Sequence, residues 1–332
     1  MTRLIVHAGT EFVDGGTVLA DLVRHRETLR AGGVLIPHRS DLAAWRELSA
    51  GLLRAAPATM ALLTEARETG ADALLLGSDL LADALTSPDA AARLAALARE
   101  EDLDIQIIVV VREQVGYINQ LYCHRVLSME TSRNLAQFAA QAVPAHRFDY
   151  VASFGAIADT AGLTLKAVPF SDLVSRGAGR CVVEAAGLDA GLAEQVAETR
   201  LAVPRLPGPV LIEAVRLLHK RFRWLNAFAE EGKSRLRDLT GQLALAAAEA
   251  EWDTTEYWGW SPQQAQAVQE EYAEGNDGFA QFVWGTSWPE EWGTGQQERI
   301  DLADLPPKVL RQVITTVEDF ADRAILLPSG QA

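Results

Sequence analysis

The stretch that most constrains the fold is Ile105-Gln106-Ile107-Ile108-Val109-Val110-Val111. Every residue but Gln106 is β-branched, and the run does not alternate with polar residues. A strand apolar on both sides is buried on both sides, as in a parallel sheet covered by helices. Around it the chain offers further apolar runs at Leu4-Ile5-Val6, Ala71–Leu76 and Leu163–Val168, separated by helical patterns. Alternation of that kind predicts a doubly wound α/β sheet with helices on both faces, joined by right-handed crossovers.

The first unit, Arg3 to Pro37, is a strand ending at His7, a loop holding Gly9, Gly15 and Gly16, and an amphipathic run Thr17–Ala31 with Thr17 as N-cap. A strand, a glycine loop and a helix N-terminus suit an anionic group, because free N–H groups and the helix dipole point at it. The same pattern serves an ordinary first βα unit. Helices are expected from Leu42 to Leu53 behind Ser40, over Met60–Glu68 after an interruption at Pro57, over Leu80–Leu85, and over Ala91–Arg99. Further helices follow over Glu113–Arg125, Ser132–Ala142 and Phe148–Ala161. Pro204, Pro207 and Pro209 then mark a connector, which divides an α/β core (1–203) from a helical, Trp-rich part (204–332).

Composition narrows the class. At 332 residues with 48% apolar and 23% charged content, the chain has the makings of a globular core. Its net charge of −15 speaks against nucleic acid and anionic membrane as partners. No apolar run approaches the roughly 18 residues of a membrane span, and the N-terminus lacks the pattern of a signal peptide. Two cysteines, Cys123 and Cys181, predict buried thiols rather than a disulfide framework, so a cytoplasmic location is expected. Acid concentrates in 251–300, just after a basic zone from Arg216 to Arg237; solvated helix faces, a match between the zones, or a basic rim for an anion all fit. Six of the eight tryptophans fall between Trp252 and Trp292, where they serve either to stack on sugar rings or to pack an irregular cap.

Ligands of open parallel sheets bind at the carboxyl ends of the strands. Three of those ends carry polar groups: His7 with its loop, Ser78-Asp79, and Arg112. Asp79 also suits a helix cap, and Arg112 suits a carboxylate partner. There is no Cys/His cluster with zinc spacing, no G-x-S-x-G elbow and no Walker lysine.

His7-Ala8-Gly9-Thr10, the loop, the helix and Gly33-Val34-Leu35-Ile36-Pro37 resemble the opening of bacterial sulfotransferase-family proteins, which read H-x-G-T-H-K-T-G-T-T-S, a helix, then G-V-L-Y-P. Gly9 and Thr10 match and Thr17 takes the final hydroxyl position. The family's lysine falls on Phe12, its second glycine on Asp14, and its paired threonines on Gly15 and Gly16. Gly77-Ser78-Asp79 stands where the family has Ser-Ser-Glu. Val109 to Tyr122 resembles V-x-x-R-x-Q followed by S-L-Y, with Arg112 on the arginine and Gln120 on the serine. Phe148-Asp149-Tyr150, Val168–Asp172, Ser261-Pro262 and Tyr272–Asn276 resemble scaffold segments.

The resemblance implies a sulfotransferase-like P-loop sheet with a helical C-terminal cap, and sulfuryl transfer from 3′-phosphoadenosine 5′-phosphosulfate (PAPS) to a hydroxyl of a carbohydrate or small polar acceptor. It implies that Asp79, with His7, does the catalytic work. Gly9, Thr10, Gly15, Gly16 and Thr17 would cradle the 5′-phosphosulfate, while Arg112 and Gln120 would hold the 3′-phosphate. No metal is needed. Phe12, with Glu11 and Asp14 beside it, equally suits a non-catalytic homologue that keeps the fold as a binding or scaffolding module. An active enzyme would need a substitute cation from Lys220, Arg221, Arg223, Lys233 or Arg235.

Overall fold

The computed structural model describes residues 2–9, 17–37, 42–78, 81–142, 148–197, 206–222, 230–253, 255–289 and 307–326. Five strands form one all-parallel sheet: β1 (Thr2–Ala8), β2 (Val34–Leu35), β3 (Ala73–Ser78), β4 (Leu103–Val111) and β5 (Leu163–Pro169), in the order β2-β3-β1-β4-β5. The apolar run that announced the sheet is β4, an interior strand between β1 and β5.

The order dictates where the helices go. From β1 to β2 the chain steps one way across the sheet, and every later step runs the other way. Right-handed crossovers therefore send the first connection to one face and the later ones to the opposite face. On the first face lie α1 (Thr17–Arg24) and α2 (Arg26–Ala31), joined after β5 by α10 (Phe170–Arg176), α11 (Ala178–Ala185) and α12 (Ala190–Gln195). On the other lie α3 (Leu42–Leu52), α4 (Pro57–Glu68), α5 (Leu81–Leu85), α6 (Pro88–Glu100) and α9 (Tyr150–Ala158). Leu4, Val6, Ala8, Leu74, Leu76, Ile105, Ile107, Val109 and Val111 share a buried cluster with that second set. The period of two along a strand turns Ile5, His7, Leu75, Gly77, Gln106 and Ile108 to the first face.

Local chemistry explains several boundaries. Pro57 and Pro88 do not interrupt helices but open them at the first turn, where a missing N–H costs nothing. The run Thr17–Ala31 is two helices broken at His25. Asp149 caps α9 by accepting the Ala152 N–H at 2.9 Å. Gly33, with φ of 80°, turns the chain into β2, a conformation favouring glycine.

The chain divides into two compact units that interleave along the sequence instead of meeting at one boundary near 203. The first takes 1–114, 145–203 and 270–292; the second takes 115–144, 204–269 and 293–332. The return of 270–292 to the first unit has a plain cause. Phe279, on the long helix α15 (Pro262–Trp284), packs against Tyr150 and Phe154, and the Trp284 indole N–H donates to the Ala167 carbonyl at 2.9 Å.

The second unit is helical: α8 (Leu135–Ala142), α13 (Pro209–Phe222), α14 (Glu230–Glu249) and α16 (Pro307–Leu326), with α7 (Gln114–Leu127) beyond its first residue and the start of α15. Helices α13, α14 and α16 pack on one another. Tyr122 and Tyr257 lie with ring centroids 5.5 Å apart, and burial pushes both phenols up from their ordinary values. The Asn119 amide clasps the segment beside them, donating to the Tyr257 carbonyl at 3.0 Å and accepting the Gly259 N–H at 3.1 Å.

Candidate functional site

The parallel register sets Ala8 beside both Ser78 and Val109, so the carboxyl ends of β1, β3 and β4 share one edge. Past this edge the next described helix after β1 is α1, on the first face, and the next after β3 is α5, on the second. The backbone at this point is tied together. Gly9 N–H donates to the Ser78 carbonyl at 2.8 Å, and Gly9 in turn accepts the Ala82 N–H at 3.3 Å. The Ser49 hydroxyl donates to the Gly77 carbonyl at 2.6 Å. Ser78 itself is buried.

Strand β4 runs on to Val111, opposite Pro169, two residues past the neighbour of Ala8 and hence about 7 Å beyond it. Arg112 follows. Its backbone is gripped by one phenol: Arg112 N–H donates to the Tyr150 hydroxyl at 3.1 Å, and that hydroxyl donates to the Arg112 carbonyl at 2.7 Å. The guanidinium lies 4.7 Å from the centroid of the Phe170 ring, and its Nε is 3.7 Å from a Glu113 carboxylate oxygen. Just beyond, the Gln114 side chain donates to the Phe148 carbonyl at 2.9 Å and to Asn276 Oδ1 at 2.7 Å, while Asn276 donates back to Gln114 Oε1 at 2.9 Å.

His7 is placed differently from the expectation of a strand-end group open to a cleft. It has no accessible surface and points to the first face, beside Gly77.

Of the other candidates, Gly9 closes the β1 end, and Thr17 starts α1. Thr10, Gly15, Gly16 and Asp79 lie outside the described residues, as do Phe12 and Asp14. Gln120 sits half-buried on α7, in the second unit. In the basic zone, Arg216 is buried against Glu213 and donates to the Ser132 carbonyl at 3.3 Å, while Lys220 and Arg221 are exposed. Arg223 and the side chains of Lys233 and Arg235 lie outside the description.

The chain matches no protein-family model, no curated protein and no solved structure. Its reading therefore rests on the residues themselves.

Four described tryptophans of the Trp-rich segment pack. Trp252 and Trp260 are buried, with the Trp260 indole donating to the Val115 carbonyl at 3.0 Å. Trp284 and Trp288 belong to an aromatic cluster with Tyr150 and Phe279. Trp284 also walls a cavity of about 380 Å³ at the end of β5, with Val168, Pro169, Arg176 and Cys181 among its lining. Burial pushes the Cys181 thiol up to about 11, so it stays protonated at neutral pH. Among the described residues, no group of three or more His, Cys, Asp or Glu is arranged to hold a metal, and no helix is long and apolar enough to cross a membrane.

Tyr150 and Asn276 carry no signal of their own in the sequence. They stand in short segments that resemble scaffold pieces of the sulfotransferase family, and nothing in those segments joins Gln114 to a partner 162 residues away.

Proposed function

We propose that the chain is a sulfotransferase-type protein whose β1–β3–β4 edge takes an adenosine phosphosulfate nucleotide. The observation that carries this is the shared edge. The helix after β1 lies on one face and those between β3 and β4 on the other, the arrangement of neighbouring strand ends at which open parallel sheets take their ligands. The start of α1 suits the 5′-phosphosulfate, and Arg112 at the end of β4 suits the 3′-phosphate.

In the reaction, a hydroxyl oxygen of a carbohydrate or small polar acceptor attacks sulfur in line. The new O–S bond forms as the bond from sulfur to the 5′-phosphate oxygen breaks, and the hydroxyl proton passes to the Asp79 carboxylate. The products are a sulfate ester and 3′-phosphoadenosine 5′-phosphate. Positioning and charge stabilisation supply the rate, as they do in phosphoryl transfer. His7, expected to assist Asp79, is buried beside Gly77.

A second reading is favoured by the charge on the β1 loop and by Arg112. Glu11 and Asp14 flank Phe12 where the family carries lysine, and the Arg112 head already rests against Phe170 and Glu113. A module that keeps the fold without transferring sulfate would tolerate both. Calorimetric titration with 3′-phosphoadenosine 5′-phosphate tests the proposal. Binding that weakens with added salt supports the nucleotide site, and absence of binding at low salt leaves the second reading.

A further inference from the structure

Arg112 leaves β4 at the point where a strand gives way to a helix. Here it is held from three sides within the first unit. Tyr150, almost wholly buried on the first turn of α9, makes both a donated and an accepted hydrogen bond to the Arg112 backbone. Phe170, at the first turn of α10, supports the guanidinium by its ring face. Two residues on, the Gln114 and Asn276 amides exchange hydrogen bonds in both directions, with the Phe148 carbonyl as a third partner.

The amide pair is 3% and 7% exposed. Two side-chain amides in such a place bring four polar atoms out of water, which is tolerable only if they are mutually satisfied. An apolar pair of the same volume would fill the site without that demand. What the amides supply and an apolar pair does not is direction: the reciprocal bonds fix the rotation of Gln114 against α15, and so fix the first residue of α7. Tyr150 is tied into the same assembly by its ring contacts with Phe279, one turn along α15 from Asn276.

We infer that the Gln114–Asn276 amide pair and Tyr150 are positioning residues for Arg112, holding it at the carboxyl end of β4 in the orientation that meets an anionic ligand. The inference deepens the proposed function and rests on that reading for the identity of the ligand, a nucleotide phosphate. Neither amide touches the ligand. Each acts through the backbone of 112–114, and the Tyr150 hydroxyl does so directly.

The test uses the full chain, with 3′-phosphoadenosine 5′-phosphate as probe and two readouts: its affinity by calorimetry and the hydrogen exchange of the Arg112 amide by NMR. Asn276→Asp keeps the size of the side chain but turns one of the two exchanged bonds into an acceptor–acceptor contact. Tyr150→Phe removes both backbone bonds and leaves the amide pair whole, so it serves if the first variant does not fold. Each substitution is expected to weaken binding by about tenfold or more and to speed Arg112 exchange by a similar factor. Neither should weaken binding further once Arg112→Ala is present, and the exchanged pair Gln114→Asn with Asn276→Gln should recover affinity. A loss of binding equally large in the Arg112→Ala background would overturn the inference, because a merely structural defect ignores Arg112. If the unaltered chain binds no nucleotide, the proposed function falls, and Arg112 exchange then decides the positioning role alone. An exchange rate unchanged by either substitution overturns it in every case.

Discussion

His7 and Gly77 are register partners on neighbouring parallel strands, and the glycine makes room for the imidazole. A Cβ built on Gly77 would stand 3.3 Å from His7 Cβ and only 2.5 Å from a methyl of Leu19 on α1. Sheet and helix thus approach closely where β1 hands over to its loop. Gly77 is consequently a packing requirement of the β1–α1 unit.

Gly77→Ala is expected to destabilise the fold by about 1–3 kcal/mol, the usual range for forcing extra volume into a packed layer. Chemical denaturation measures it. A neutral result would mean that α1 rides free of the sheet at Leu19.

Asp253 closes the start of α13 from a distant part of the chain. Its two carboxylate oxygens accept the Val210 N–H at 2.8 Å and the Leu211 N–H at 3.0 Å, and a Cβ on Gly208 would collide with it. Asp253→Ala should cost about 1–2 kcal/mol, as for loss of a helix cap, and Asp253→Asn clearly less because one oxygen acceptor remains. Equal stability of the Ala and Asn variants in urea melts would show that the cap contributes nothing.

His219 on α13 is buried, and burial pushes its value below that of a free histidine, with a hydrogen bond to the Thr131 backbone working the other way. A depressed histidine is held neutral by the fold. Its contribution is whole above the unfolded value near 6.5 and is lost as pH falls through the folded value. Stability of the native chain should therefore decline below about pH 6.5, and His219→Gln should flatten that part of the profile. An unchanged difference between the two proteins from pH 5 to pH 8 would exclude this histidine as the cause.

The loop after β1 carries the remaining prediction. Phe12→Lys with Asp14→Gly adds a cation and removes an acid where a phosphosulfate would lie. Affinity for 3′-phosphoadenosine 5′-phosphate should rise by at least about tenfold, and the gain should shrink at high salt. If affinity is unaltered by the pair of substitutions, the nucleotide does not sit on this loop.

Much of the layer structure was legible because it is local. Ile105–Val111 carries burial on both sides in its composition, and β4 is an interior strand. Helix positions followed from apolar spacing, although Pro57 misled. A proline breaks a helix in its middle but starts one at its first turn, and the spacing alone does not say which. Strand β2 escaped notice as a strand, since two residues cannot display a period. Val34 and Leu35 are a strand only because Ala73 and Leu74 lie beside them. The site was legible as a set of strand ends and no further.

What the sequence by itself determined, then, is the class: a parallel sheet with helices on both faces, required by apolar runs that have no polar side. Tertiary structure decided what those runs could not encode. Whether His7 looks into a cleft or into the core depends on which face pairs with α1, a matter of crossover direction. Whether Arg112 is held depends on Tyr150 and on an amide pair formed by residues 162 apart. Hydrophobic periodicity is a property of neighbours along the chain, whereas a reciprocal hydrogen bond belongs to neighbours in space. The fold must close before such a bond exists.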